Sequence, residues 1–217
     1  CTGVQISGLA VDSRVVRPGY LFAALPGTTV HGASFAENVL AAGASAILTD
    51  TAGARLIRGA GLSAPTIIAE NPAEALARAA ALWFGAQPEI MVAVTGTNGK
   101  TSVATFARQI WEALDHSAIN IGTTGVEGAW QAPSSHTTPD AIALHAMLSQ
   151  AASAGVTHAA MEASSHGLDQ RRLDGVRLAA AGFTNLTQDH LDYHHTMEAY
   201  FNAKTALFTR ILPEDGV

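Results

Sequence analysis

Hydrophobic spacing divides the chain into two parts. In the first, short apolar runs sit between turn signals. Leu9-Ala10-Val11 is apolar, Asp12-Ser13-Arg14 is polar, Pro18-Gly19 is a turn pair, and Tyr20 to Leu25 reads as a buried strand closed by Pro26-Gly27. Ser34, with Glu37 in capping-box spacing, predicts a helix through Leu40 that ends at Gly43. Ala46-Ile47-Leu48 and Thr66-Ile67-Ile68 read as strands, and Asn71-Pro72 as the cap and first position of a helix to about Phe84. From Ile90 onward, strands alternate with helices. Strands are predicted over Ile90–Thr95, Ala118–Ile121, His158–Ala163 and Ala179–Leu186. The helices run from the end of the first of these strands to Leu114, from Pro139-Asp140 to Ala154, and over Met197–Ile211. That alternation predicts a mainly parallel sheet covered on both faces, an α/β fold.

Gly85-Ala86-Gln87-Pro88 breaks a helix before a new apolar strand, which sets an expected domain boundary: 1–86 and 87–217. A length of 217 residues, 48% of them hydrophobic, suffices for two small cores. The net charge of −6, with Lys and Arg dispersed, argues against broad binding of nucleic acid or anionic membrane, and leaves room for a local polyanion site. Cys1 is the single cysteine, so no disulfide forms within the chain. With no signal segment and no long apolar run, a soluble, cytoplasmic protein is expected, most simply a monomer.

The strongest local signal is Val92-Ala93-Val94-Thr95-Gly96-Thr97-Asn98-Gly99-Lys100-Thr101-Ser102. A strand enters a Gly-rich turn and leaves as a helix, so backbone N–H groups and the helix N-terminus can face a phosphate chain. Gly96, Thr97, Asn98 and Gly99 supply the turn, Lys100 can reach the terminal phosphates of ATP, and Thr101 or Ser102 can bind Mg²⁺. The longer form of this phosphate-loop pattern asks for glycine where the chain has Val94, so only the stretch from Gly96 to Thr101 is present. The bland alternative is an ordinary Gly-rich turn.

Glu162 follows an apolar strand in Met161-Glu162-Ala163-Ser164-Ser165-His166, and an acid there points into the crevice where α/β folds bind ligands. It can hold Mg²⁺, or it can merely cap the next helix. Asn185 to His195 is dense in ligand-type residues, including His190. Its spacing fits no familiar zinc site, and its carboxylates and hydroxyls suit a hard cation better. Lys204, in Tyr200-Phe201-Asn202-Ala203-Lys204, reads by itself as a helix lysine facing water.

Taken in order, these segments resemble the Mur ligases, most closely the branch that adds the third residue of the peptidoglycan stem peptide. The resemblance rests on Asp12-Ser13-Arg14 with Pro18-Gly19 and Leu21-Phe22, on Gly96 to Ser102, and on Thr137-Thr138-Pro139-Asp140. It continues through Glu162 to Leu168, Asn185 to His194, and Ala203-Lys204. It implies a small N-terminal α/β domain that binds the uridine nucleotide of the substrate, then a P-loop-type, ATP-binding central domain. A third, amino-acid-binding domain is absent from these residues, so a partial chain without turnover is expected.

Residue by residue, the resemblance implies that Val11, Ser13 and the Thr28-Thr29-Val30 loop lie at the uridine site. Thr137, Thr138, Ser164, Gln170 and Arg172 are implied to face the muramoyl-peptide, with His136 standing where relatives often carry Asn. Lys100, Glu162, His190 and Lys204 would be catalytic. Lys204 would be carbamylated (N6-carboxylysine), holding Mg²⁺ with Thr101 or Ser102, Glu162 and His190. The implied reaction joins UDP-N-acetylmuramoyl-L-alanyl-D-glutamate to a diamino acid, meso-diaminopimelate or L-lysine, through an acyl phosphate made from ATP. Two rivals stay open: another ligase of the superfamily, MurF-like or folylpolyglutamate synthetase-like, and a nucleotide-binding P-loop module that does not ligate.

Overall fold

The computed structural model describes every residue except 1, 2, 28 and 134–136, so Cys1, Thr28 and His136 lie outside the described residues. The chain separates into two compact units, 1–80 and 81–217, which divide inside a helix.

In the first unit, β1 (Gly8–Ala10), β2 (Tyr20–Ala23), β3 (Ala46–Thr49) and β4 (Thr66–Ile68) form a parallel sheet in sequential order. α1 (Ala36–Ala41) and α2 (Thr51–Gly59) accompany it, and α3 (Pro72–Phe84) carries the chain across the division. Its core gathers Ala10, Phe22, Ala24, Val39, Ile47 and Ile57. Asn71 caps α3 as its sequence position predicts, accepting the Glu74 N–H at 3.0 Å. The predicted capping box at Ser34 does not form. A 3₁₀ turn over Gly32–Phe35 precedes α1, its cap is His31, and the Ser34 hydroxyl instead donates to the His31 carbonyl at 2.8 Å. α2 was not legible in the sequence; Asp50 starts it by accepting the Gly53 N–H at 2.7 Å.

In the second unit, β5 (Ile90–Thr95), β6 (Ala118–Gly122), β7 (Gly125–Gly128), β8 (His158–Glu162) and β9 (Ala180–Phe183) form one sheet in the order β7-β6-β8-β5-β9. All neighbours are parallel except β6 and β7, an antiparallel hairpin absent from the sequence reading. The helices are α4 (Lys100–Ala113), α5 (Ala141–Ser153), α6 (Ser165–Asp169), α7 (Leu191–His194) and α8 (Met197–Ala206). Met91, Ile119, Leu144, Leu148, Met161 and Leu168 centre the core. After β5 the chain crosses beyond β8 to reach β6, and after β8 it crosses to the opposite side, to β9. The sheet therefore changes winding direction between β5 and β8, where open α/β sheets bind ligands.

Two predicted elements are shorter than expected, each for a visible reason. β9 stops at Phe183 because Thr184 and Asn185 turn aside to bond the loop after β5. α8 keeps its α register only to Ala206. From Leu207 to Ile211 the chain adopts a π turn, closed by Leu212 N–H donating to Leu207 O at 2.9 Å.

Candidate functional site

The loop between β5 and α4 has the backbone that a phosphate chain requires. Gly96 (φ 138°) and Gly99 (φ 85°) sit where side chains are disfavoured, and Gly99 precedes the first turn of α4. A Cβ at position 96 would also run into the Thr184 hydroxyl. The loop is held from outside by the segment after β9. Asn185 clasps the backbone of Asn98 with both ends of its amide: Oδ1 accepts the Asn98 N–H at 3.1 Å and Nδ2 donates to the Asn98 carbonyl at 3.2 Å. Thr184 donates to the same carbonyl at 2.6 Å. The Thr97 hydroxyl donates to Thr187 O at 3.1 Å and accepts the Thr187 N–H at 3.0 Å, with the Tyr200 hydroxyl 3.1 Å away. Thr184, Asn185 and Tyr200 are residues of the site that the sequence by itself does not reveal. The ligand-dense stretch was a signal, but spacing alone does not show that its amide grips a backbone.

Lys100 folds back over this loop and donates to Gly96 O and Thr97 O, both at 2.9 Å. Burial pushes its pKa down, while Glu162 and Asp189 pull it up. Lys204 is not the solvent-facing lysine that its sequence position suggests. It is 1% exposed, donates to Gly96 O at 2.7 Å, and lies 4.5 Å above the centre of the Tyr200 ring. Desolvation first, and the nearby Lys100 charge second, lower its pKa to about 8.

Glu162 ends β8 in register with Val94 of β5, and is 2% exposed. Its Oε1 accepts from the Thr101 hydroxyl at 2.9 Å and the Thr123 N–H at 3.1 Å. Gly122 is a glycine for this reason, since any Cβ there would strike the Glu162 carboxylate. Of the two candidate hydroxyls, Thr101 is the one bonded to Glu162, and Ser102 is exposed. His190 is half exposed, its Nε2 3.6 Å from Asp189 Oδ2, with its ring 6.2 Å from Tyr200 and 4.9 Å from His166. Among the described residues no three His, Cys, Asp or Glu side chains assemble into a metal cage. A buried carboxylate beside a hydroxyl and a phosphate loop offers hard oxygen donors, which fits Mg²⁺ completed by phosphate and water.

The residues expected to face the muramoyl-peptide come together beside Glu162. The Thr138 hydroxyl donates to Glu162 O and accepts from Ser164 Oγ, both at 3.0 Å. Arg172 donates to Thr138 O at 2.7 Å and forks onto Gln170 Oε1 at 2.6 and 3.1 Å. Thr137 bonds Thr123 at 3.0 Å.

In the first unit, Val11, Ser13 and Val30 line a cavity of about 600 Å³ with Asp12, Phe22 and Phe35. Thr29 is exposed on the adjoining loop and does not line it. Arg14 holds the Asp12 carboxyl down at about 2, chiefly through side-chain hydrogen bonds.

Comparison with known proteins agrees with both units. The Mur ligase middle domain matches residues 94–217, and the Mur ligase family catalytic domain matches residues 5–84. The chain is 55% identical over 214 residues to the UDP-N-acetylmuramoyl-L-alanyl-D-glutamate–2,6-diaminopimelate ligase of Brucella melitensis, covering 97% of this chain and 43% of that protein. It is 53% identical to the enzyme of the same name from Caulobacter vibrioides, covering 98% and 44%. A solved structure of a ligase of that name superposes with a TM-score of 0.79 at 34% identity, over 94% of this chain and 41% of the other. The chain thus spans less than half the length of the relatives it matches. By sequence, by fold and by the loop between β5 and α4, it belongs to the Mur ligase family.

Proposed function

We propose that this chain supplies the nucleotide-binding and carboxylate-activating parts of an ATP-dependent amide ligase. The ligase adds a diamino acid to UDP-N-acetylmuramoyl-L-alanyl-D-glutamate. The relatives' name favours 2,6-diaminopimelate over lysine as that amino acid. The carrying observation is the convergence of Lys100 and Lys204 on Gly96, beside a buried Glu162 bonded to Thr101. Lys100 suits a γ-phosphate lying in the loop, and Glu162 with Thr101 suits a hard cation beside it.

A carboxylate does not form an amide spontaneously in water, so it must be activated. A carboxylate oxygen of the substrate attacks the γ-phosphorus of ATP, the bond to ADP breaks, and an acyl phosphate forms. The amine then attacks the acyl carbon, phosphate leaves and a proton is lost. Positioning and charge neutralisation provide most of the catalysis. The loop amides and α4 bind the phosphates, and Lys100 exchanges its two carbonyl bonds for phosphate oxygens. Bound Mg²⁺ would offset the repulsion between phosphate and carboxylate, held by Glu162, Thr101, His190 and a carbamylated Lys204. A neutral Lys204 amine is what CO₂ addition needs, and a pKa of about 8 supports that role. Thr138, Ser164, Gln170 and Arg172 orient the muramoyl-peptide. Val11, Ser13 and Val30 would seat the uridine, with Thr29 on the adjoining loop. We further propose a cytoplasmic, monomeric enzyme with no nucleic-acid or membrane partner; among the described residues no helix is long and apolar enough to cross a membrane.

The test is ligation by the full-length protein. Lys100→Ala should abolish ATP-dependent tripeptide formation, and normal turnover by that variant would overturn the assignment. Lys204→Ala should be almost inactive and partly rescued by short-chain carboxylic acids, which replace the missing carbamate.

A further inference from the structure

α6 ends in an unusual way. Arg172 N–H donates to Gly167 O at 2.9 Å and Arg171 N–H to Leu168 O at 3.2 Å, the paired bonds of a Schellman cap. The residue at its left-handed position is normally glycine. Here it is Arg171, at φ 59°. A side chain persists in that conformation only when its surroundings over-determine it.

The surroundings are a three-residue clamp in which the carboxylate is buried and the two guanidinium groups are partly exposed. Asp174, 4% exposed, accepts from Arg171 Nη1 at 3.5 Å and from Arg210 Nε at 3.2 Å. Arg210 also donates through Nη2 to Leu168 O at 2.7 Å, the same carbonyl that the Arg171 N–H uses. Arg210 belongs to the π turn that follows α8, the helix carrying Lys204. Such an extra residue in a helical turn re-aims the side chains after it and recurs at functional sites. The residue delivered by the cap is Arg172, whose guanidinium reaches Thr138 and Gln170. Gln170 in turn donates to the Tyr193 hydroxyl at 3.2 Å.

We propose that Arg210 is a positioning residue for the muramoyl-peptide side of the site: with Asp174 it holds Arg171 in its left-handed cap and so aims Arg172 at Thr138 and at Gln170. The functional part rests on the reading that Gln170 and Arg172 face that substrate. The geometric part does not. The clamp also ties the substrate-facing loop to the chain segment that bears Lys204, so the two sides of the reaction share one support.

The experiment uses the full-length protein and two probes, UDP-N-acetylmuramoyl-L-alanyl-D-glutamate and ADP, titrated calorimetrically, with the Arg172 Nε–H resonance followed by NMR. Arg210→Ala should shift that resonance and weaken the muramoyl-dipeptide about tenfold, as expected for a lost, partly buried charged hydrogen-bond pair, while ADP affinity stays unchanged. Adding Arg171→Gly together with Asp174→Asn, so that no unpaired carboxylate is left buried, should restore both the resonance and the affinity, because glycine needs no clamp at φ 59°. That rescue separates positioning from general destabilisation. An unmoved resonance, equal losses for both probes, or no rescue by glycine would overturn the proposal. If the unaltered full-length protein takes no muramoyl-dipeptide, the substrate reading fails, and the resonance still decides whether Arg210 positions Arg172.

Discussion

The ammonium groups of Lys100 and Lys204 share one acceptor, the carbonyl of Gly96, at 2.9 and 2.7 Å. Two cations on one oxygen repel each other. Lys204 is the more buried of the two by exposed surface, and its pKa falls to about 8. The neighbouring charge is the second cause of that fall, after burial. Lys100→Gln should therefore raise the Lys204 pKa part of the way back toward 10.5, read from the pH titration of the ¹³C-labelled lysine side chain.

Lys204 also gives a stability test. Its folded pKa lies below the unfolded value, so between about 8 and 10.5 the unfolded chain binds the extra proton and stability rises with pH. Lys204→Met removes a buried cation and keeps the stem that packs on Tyr200. That variant should melt at or above the unaltered chain at pH 7, and lose the part of the pH dependence contributed by this group. Thermal unfolding at pH 7, 8 and 10 checks both points, and a lower melting temperature at pH 7 would show that the ammonium stabilises the fold.

Gly122→Ala should disturb Glu162 without touching the phosphate loop itself. The added methyl meets the carboxylate, which must leave Thr101 and Thr123. ADP affinity should then lose most of its dependence on Mg²⁺, while affinity measured without Mg²⁺ stays nearly constant. Full Mg²⁺ dependence in the variant would remove Glu162 from the metal's surroundings.

Asn185→Ala releases both bonds to the Asn98 backbone. Each such bond contributes on the order of 1 kcal/mol, so ADP should bind about tenfold more weakly or worse by calorimetry. The same two bonds support folding, so the melting temperature should fall by a few degrees as well.

Much of this architecture is legible in the sequence because local rules and tertiary packing agree. Asn71-Pro72 starts α3 as its chemistry requires, and Val92 to Ser102 gives strand, loop and helix in register. The disagreements have tertiary causes. Ser34 spends its hydroxyl on His31, so the capping box fails, and β9 is cut short by residues recruited to the loop. Periodicity cannot show that Lys204 points inward. In isolation a lysine on a helix belongs in water, and only the Gly96 carbonyl and the Tyr200 ring make its burial tolerable. The residues that grip the loop, Thr184 and Asn185, are ordinary polar residues until the sheet brings them next to Asn98.

On the proposed reading, a CO₂-modified Lys204 stands at the metal beside the phosphate loop. ¹³C NMR of the chain equilibrated with ¹³C-bicarbonate at pH 8 tests it most directly. Carbamylation should give a carbamate resonance that is absent from Lys204→Met and broadened by Mn²⁺ added with ADP. A spectrum with no carbamate signal, or one that survives the Lys204→Met substitution, would contradict it.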